Sequence, residues 1–111
     1  MINGLKVLFG AILAVMLAVT VTAALDESVF EAGARLWPEP WFRATLADAY
    51  CGFLAFYAWV FYRERSPAAR AGWLVAILAL GNIAMAVYVL LRLLRLPAGA
   101  GAEQLLLRPR A

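Results

Sequence analysis

Three long apolar runs organise the chain. Val7–Leu25 is nineteen residues without a charge, Ala44–Tyr62 is nineteen with one charge, Asp48, and Ala71–Leu91 is twenty-one uncharged residues with Asn82 near the middle. At 1.5 Å per residue each is long enough for a hydrocarbon core of about 30 Å. The pattern predicts an all-α membrane protein, a single domain over residues 1–111 with three transmembrane helices spanning about 5–25, 44–62 and 71–91. Val21-Thr22-Ala23 has the look of a signal-peptidase site, but the run before it exceeds a typical signal core and only Lys6 precedes it, so the first run is read as a retained span.

Boundary signals agree with these runs. Ser66 before Pro67 is a hydroxyl N-cap ahead of a proline at the first helical position, and Pro97, Gly99 and Gly101 end the third pattern. Only Arg63, Glu64 and Arg65 separate Tyr62 from Ser66, so the second and third helices should form an antiparallel hairpin through a tight turn. Between the first two spans, Ser28 and Glu31 fit a capping box, and Val29, Gly33, Leu36 and Trp37 share one helical face opposite Glu27, Glu31 and Arg35. That predicts a short interfacial helix, ended by Pro38 and Pro40, with Trp37 and Trp41 at headgroup level. The short apolar patch Gln104–Leu107, flanked by Arg108 and Arg110, is expected to rest on the membrane surface.

Composition narrows the chemistry. With 66% hydrophobic and 15% charged residues, polar side chains cannot cover a domain of this size in water, so the expected partner is the lipid bilayer. The absence of His and the single Cys51 leave no thiol–imidazole metal site, no His-ligated haem and no disulfide within one chain, and neither metal nor cofactor is expected. The net charge of +3 comes from Arg and Lys at the ends of the apolar runs, where they meet anionic headgroups; no nucleic-acid partner is expected.

Orientation is contested by the charges. With three spans and a cytoplasmic N-terminus, Lys6, Arg63, Arg65 and Arg70 lie inside, and Arg35, Arg43, Arg92, Arg95, Arg108 and Arg110 lie outside. That count runs against the positive-inside rule. The acids of the first loop, the arginine-dense second turn and the usual dominance of the first helix nevertheless favour the N-terminus inside.

Four polar or aromatic positions are candidates for a ligand or polar site: Asp48, Asn82, Trp59 and Tyr88. On a helical projection Asp48, Cys51, Gly52, Ala55, Trp59 and Tyr62 share one face, with Tyr50, Phe53, Leu54, Tyr57, Val60 and Phe61 opposite. The small-residue face is expected to pack on another helix and the aromatic face to meet lipid. A carboxylate near mid-membrane costs about 2.5 to 3.5 kcal/mol when ionised and marks a functional candidate. The plainer explanation of Asp48 is a capping box with Thr45, which starts the second helix there. Asn82 shares its face with Val75, Ala79, Ala86 and Val89 and is expected to act as an interhelical hydrogen-bonding group. Gly10, Ala14, Ala18 and Thr22 recur every four residues, and with Gly52 they form the candidate helix-packing positions, within the chain or between copies.

The blocks Trp41-Phe42-Arg43-Ala44-Thr45-Leu46-Ala47-Asp48-Ala49-Tyr50 and Leu80-Gly81-Asn82-Ile83-Ala84-Met85-Ala86-Val87-Tyr88 resemble a family of short bacterial integral membrane proteins catalogued as a domain of unknown function. The resemblance covers almost the whole chain. It implies a three-helix, multi-pass protein of the bacterial inner membrane and brings no activity or site residues. A looser likeness, in size and number of spans alone, is to the three-helix subunits of heterodimeric carotenoid cyclases.

The leading functional expectation is a structural or accessory membrane protein, not an enzyme, that acts through helix–helix contacts in a homo-oligomer or larger membrane complex. Second comes a binder or carrier of a lipid-like molecule or a proton, centred on Asp48 and Asn82. Third is a cofactor-free isoprenoid cyclase with Asp48 as proton donor and Tyr57, Trp59 or Tyr88 facing developing cations.

Overall fold

The computed structural model describes residues 2–97 and 99–108. Among them every regular element is helical: α1 (Ile2–Asp26), α2 (Val29–Leu36), α3 (Pro40–Arg63), α4 (Pro67–Leu80), α5 (Asn82–Leu94) and α6 (Ala102–Leu106). Two helices, α1 and α3, are long and apolar enough to cross a membrane, with 25 and 24 residues. At 1.5 Å per residue they measure about 37 and 36 Å.

The third apolar run, expected as one helix over 71–91, is two helices that reverse direction at Gly81. A continuous helix would put Trp73 and Tyr88 about 22 Å apart along its axis. Their ring centroids are instead 4.9 Å apart, and Arg92 of α5 reaches Glu64, just before α4 begins. Gly81 makes the reversal with φ 58° and ψ −124°, a backbone conformation that only glycine adopts without strain. Its other requirement is space: a Cβ on Gly81 would lie 2.6 Å from Phe53 Cζ on α3. The turn also strips α4 of its last intrahelical partners. In an unbroken helix the Leu78 carbonyl would accept from the Asn82 N–H; here the Tyr50 hydroxyl donates to it at 3.0 Å.

The hairpin packs on the second half of α3. Val60, Ile77, Ala84 and Tyr88 form the buried centre, with Phe53, Phe56, Tyr57, Trp59 and Trp73 around it. This corrects the expected orientation of α3 in part: Phe53, Tyr57 and Val60 of its aromatic face are inside, with Phe56 and Trp59, while Cys51, Gly52 and Ala55 are exposed. Large rings fill the wedge between α3 and two diverging helices, which small residues would leave empty. The start of α3 also differs from expectation. The helix begins at Pro40 after Glu39, so Thr45 is interior and its hydroxyl donates back to the Trp41 carbonyl at 2.7 Å. Asp48 is therefore not in a capping box.

A second cluster closes the opposite side of α5. Val89, Leu93 and Leu105 are buried together, with Ile2, Leu5 and Phe9 of α1 against them. The first third of α1 thus starts beside the end of α5, the helix on which α1 packs most extensively. Beyond Met16, α1 is exposed throughout. The tail patch is not simply laid on a surface: Leu105 of α6 is 5% exposed and plugs this cluster.

The short helix expected between the first two runs forms as α2. Ser28 is the N-cap of α2 and its Oγ accepts from the Glu31 N–H at 3.1 Å. Arg35 donates twice to Glu27, at 2.6 and 3.3 Å, and this bonding holds the Glu27 carboxyl below the usual carboxylate range. The Glu27–Arg35 clamp is therefore present at neutral pH and is lost as pH falls through that lowered value. Phe30 and Trp41 are 86% and 84% exposed at this end.

Gly81→Ala is expected to destabilise the protein by about 3 kcal/mol or more, combining a left-handed backbone with the Phe53 overlap. Gly72→Ala, in α4 where a Cβ meets nothing within 4 Å, should be neutral or slightly stabilising. Chemical denaturation in mild detergent measures both.

Candidate functional site

A network of hydrogen-bonded polar side chains forms where α3 ends, α4 begins, α5 ends and α6 docks. The chain reversal at Gly81 brings them together, because it returns α5 to the level of the α3–α4 turn. Glu64, the C-cap residue of α3, is the centre. Its Oε2 accepts from the Tyr88 hydroxyl at 2.9 Å and lies 3.4 Å from Arg92 Nη2. Tyr88 is 0% exposed, ringed by Phe56, Trp59 and Trp73 in edge-to-face geometry. The Arg92 guanidinium lies over its ring, 5.0 Å from the centroid.

Arg70 secures the turn from the α4 side. Its Nε donates to the Glu64 carbonyl at 2.8 Å and the Phe61 carbonyl at 3.0 Å. Its guanidinium rests 3.8 Å from the centroid of the Phe61 ring. The Tyr57 hydroxyl donates to the Arg70 carbonyl at 2.9 Å.

The last carbonyls of α6 lack intrahelical donors, as at any helix C-terminus, and α3 supplies them. Arg63 Nε donates to Leu105 O at 2.8 Å and Nη2 to Gln104 O at 3.4 Å. Trp59 Nε1 donates to Leu106 O at 2.9 Å. Arg108 Nε in turn donates to the Tyr62 carbonyl at 2.6 Å. Cationic and indole donors on α3 therefore fix a five-residue helix that could not persist alone. Arg63 is only 6% exposed for a guanidinium.

Of the four candidate positions, Trp59 and Tyr88 meet, with ring centroids 5.5 Å apart. Asp48 and Asn82 stand elsewhere: Asp48 is eleven residues before Trp59, about 16 Å along α3, and Asn82 begins α5 at the tip of the hairpin; both are exposed. The carboxylate proposed as a cyclase proton donor is thus separated from the aromatic cluster. Among the packing positions, neither Gly10 nor Gly52 has an atom within 4 Å of where a Cβ would be, and Ala14 and Ala18 are exposed. Sequence reading missed Arg63, Glu64, Arg92 and Leu105 as interacting residues. They read as headgroup charges and a surface patch, since nothing local links Glu64 to residues 24 and 28 positions later. The cysteine and acidic residues form no group that could hold a metal ion among the described residues.

Tyr88→Phe is expected to cost about 1.5 to 3 kcal/mol, the range for a hydrogen bond to a charged group. In a Glu64→Gln background the same change should cost less, giving a double-mutant coupling on the order of 1 kcal/mol in detergent denaturation. Strict additivity would show that the two side chains do not support each other.

Neither the curated proteins nor the solved structures include a match to this chain. A family described as "Protein of unknown function (DUF1475)" matches residues 1–108. The chain, from its first helix through the docked α6, belongs to that family.

Proposed function

We propose that the protein is a small integral membrane protein that crosses the bilayer twice, with α1 and α3, and carries α4–α5 as a re-entrant hairpin. The hairpin helices have 14 and 13 residues, about 21 and 20 Å, too short for a hydrocarbon core of about 30 Å. Irregular backbone at membrane depth is tolerated where protein buries it. The Gly81 turn meets that condition through Phe53 and Tyr50. Retention of α1 is supported by Ile2, Leu5 and Phe9, which close the core around Val89 and Leu93.

This reading also removes the conflict in the charge count. With the hairpin folded back, Lys6, Arg63, Arg65, Arg70, Arg92, Arg95 and Arg108 gather at one end, and only Arg35 and Arg43 remain at the other. Arg110 lies outside the described residues. Seven against two satisfies the positive-inside rule with the start of α1 and the α6 end both cytoplasmic.

Within that membrane the protein acts as an accessory or structural component through helix–helix contacts. The observation that carries this is the exposed outer half of the molecule: α1 from Leu17 to Asp26 and most of the first turns of α3 are exposed. Ala14, Ala18 and Thr22 present small side chains there, which permit close backbone approach in lipid. Asp48 and Asn82, both exposed, give a partner helix two hydrogen-bonding groups. The occupant proposed is a second copy of the chain.

Single cysteines in a Cys51→Ala background test the topology. A membrane-impermeant thiol probe should label Ala34→Cys from outside and leave both Ala68→Cys and Leu107→Cys unlabelled in intact cells. Outside labelling at position 107 would restore three spans and overturn the re-entrant hairpin.

Association has its own test. Ala14→Leu is expected to lower oligomer content in mild detergent without lowering monomer stability, because the residue is exposed within the chain. Wild-type oligomer content in the variant, or a monomeric wild type, would overturn the accessory reading.

A further inference from the structure

Arg63 is the most buried charged side chain among the described residues, and its three nitrogens are not equally employed. Nε and Nη2 hold the carbonyls of α6, while Nη1 is buried with no hydrogen-bond partner. The neighbouring carboxylate, Glu64, is already engaged by Tyr88 and Arg92. A buried guanidinium N–H without an acceptor costs more than an ordinary unsatisfied donor, because the group is charged.

Arg63 forms part of the wall of a cavity of about 520 Å³ between the α5–α6 connection and α6. Arg95 and Arg108 line it as well, so three guanidiniums converge on one space. Among its described lining residues Glu103 is the only acid, and it is exposed. Leu96, Pro97 and Leu107 supply an apolar side to the same cavity. The exposed side chain of Arg95 has no hydrogen bond or ion pair among the described residues, and Arg108 uses its Nε on Tyr62.

We propose that this cavity binds a phosphate group, that of an anionic phospholipid, with the headgroup phosphate among Arg63, Arg95 and Arg108 and the glycerol and first acyl carbons against Leu96 and Leu107. Guanidinium forks match the geometry of phosphate oxygens and donate charge-assisted bonds to them from several directions. The cavity opens at the end of the molecule where seven basic residues gather, which is where an anionic leaflet surface would lie. Only the source of the phosphate rests on the membrane reading given above; the phosphate chemistry rests on the cavity.

The full chain in non-ionic detergent is titrated with dioctanoyl phosphatidylglycerol, inorganic phosphate or dioctanoylglycerol, with thermal unfolding as the readout. Phosphatidylglycerol should raise the unfolding temperature saturably, inorganic phosphate should need at least tenfold higher concentration, and dioctanoylglycerol should have no effect. Arg95→Glu should weaken phosphatidylglycerol binding at least tenfold while leaving the ligand-free unfolding temperature unchanged, and Arg43→Glu, at the opposite end, should bind like the wild type. Equal potency of inorganic phosphate would overturn the lipid source. Absence of saturable binding, or wild-type binding by Arg95→Glu, would overturn the site. Neither result depends on how the chain lies in a membrane, so failure here and failure of the topology are separately visible.

Discussion

A single backbone conformation at Gly81 governs the arrangement of everything around it. Its φ of 58° turns an apolar run into a hairpin, and the turn is stabilised from α3 by Phe53 against its Cα and by the Tyr50 hydroxyl on the Leu78 carbonyl. Without the reversal Tyr88 would stand far from Trp73 and Glu64, Arg92 would have no carboxylate, and Leu105 would have no cluster to enter. The core, the polar cluster and the distribution of positive charge are consequences of one position where a side chain cannot fit.

The forces that hold the hairpin suit a lipid environment. Between helices in hydrocarbon, apolar burial gives little net drive, since lipid tails offer the same surroundings; close packing and satisfied polar groups decide. The structure has both. Aromatic rings interlock edge to face around Tyr88, and the carbonyls exposed by helix ends at Leu78, Gln104, Leu105 and Leu106 all receive donors from α3. Helix α3 acts as the scaffold: it donates from Tyr50, Tyr57, Trp59 and Arg63 to elements that could not otherwise terminate where they do.

The two ends of the molecule differ accordingly. One is dense in cations, hydrogen bonds and buried side chains. The other holds the amphipathic α2, the Glu27–Arg35 clamp and the exposed Phe30 and Trp41, with little tertiary packing. This asymmetry gives the proposed functions separate places: association through the unpartnered outer halves of α1 and α3, and phosphate recognition at the basic end around Arg63.

By itself the sequence determined what is local. Uninterrupted apolar runs and composition gave the helical class and the candidate spans, Ser66-Pro67 placed the start of α4, and Ser28 with Glu31 placed α2, because caps and periodicity act over three or four residues. What only the tertiary structure decided is where the third run goes. Gly81-Asn82 is a turn signal in water, yet glycine is common in membrane helices, and the choice between a continuous helix and a hairpin depends on whether Phe53 and Tyr50, nearly thirty residues earlier, receive the turn. The polar cluster was hidden for the same reason. Glu64, Tyr88 and Arg92 are an unremarkable loop acid, core tyrosine and flanking arginine until the chain reverses, and a contact between distant positions has no periodic trace in the sequence.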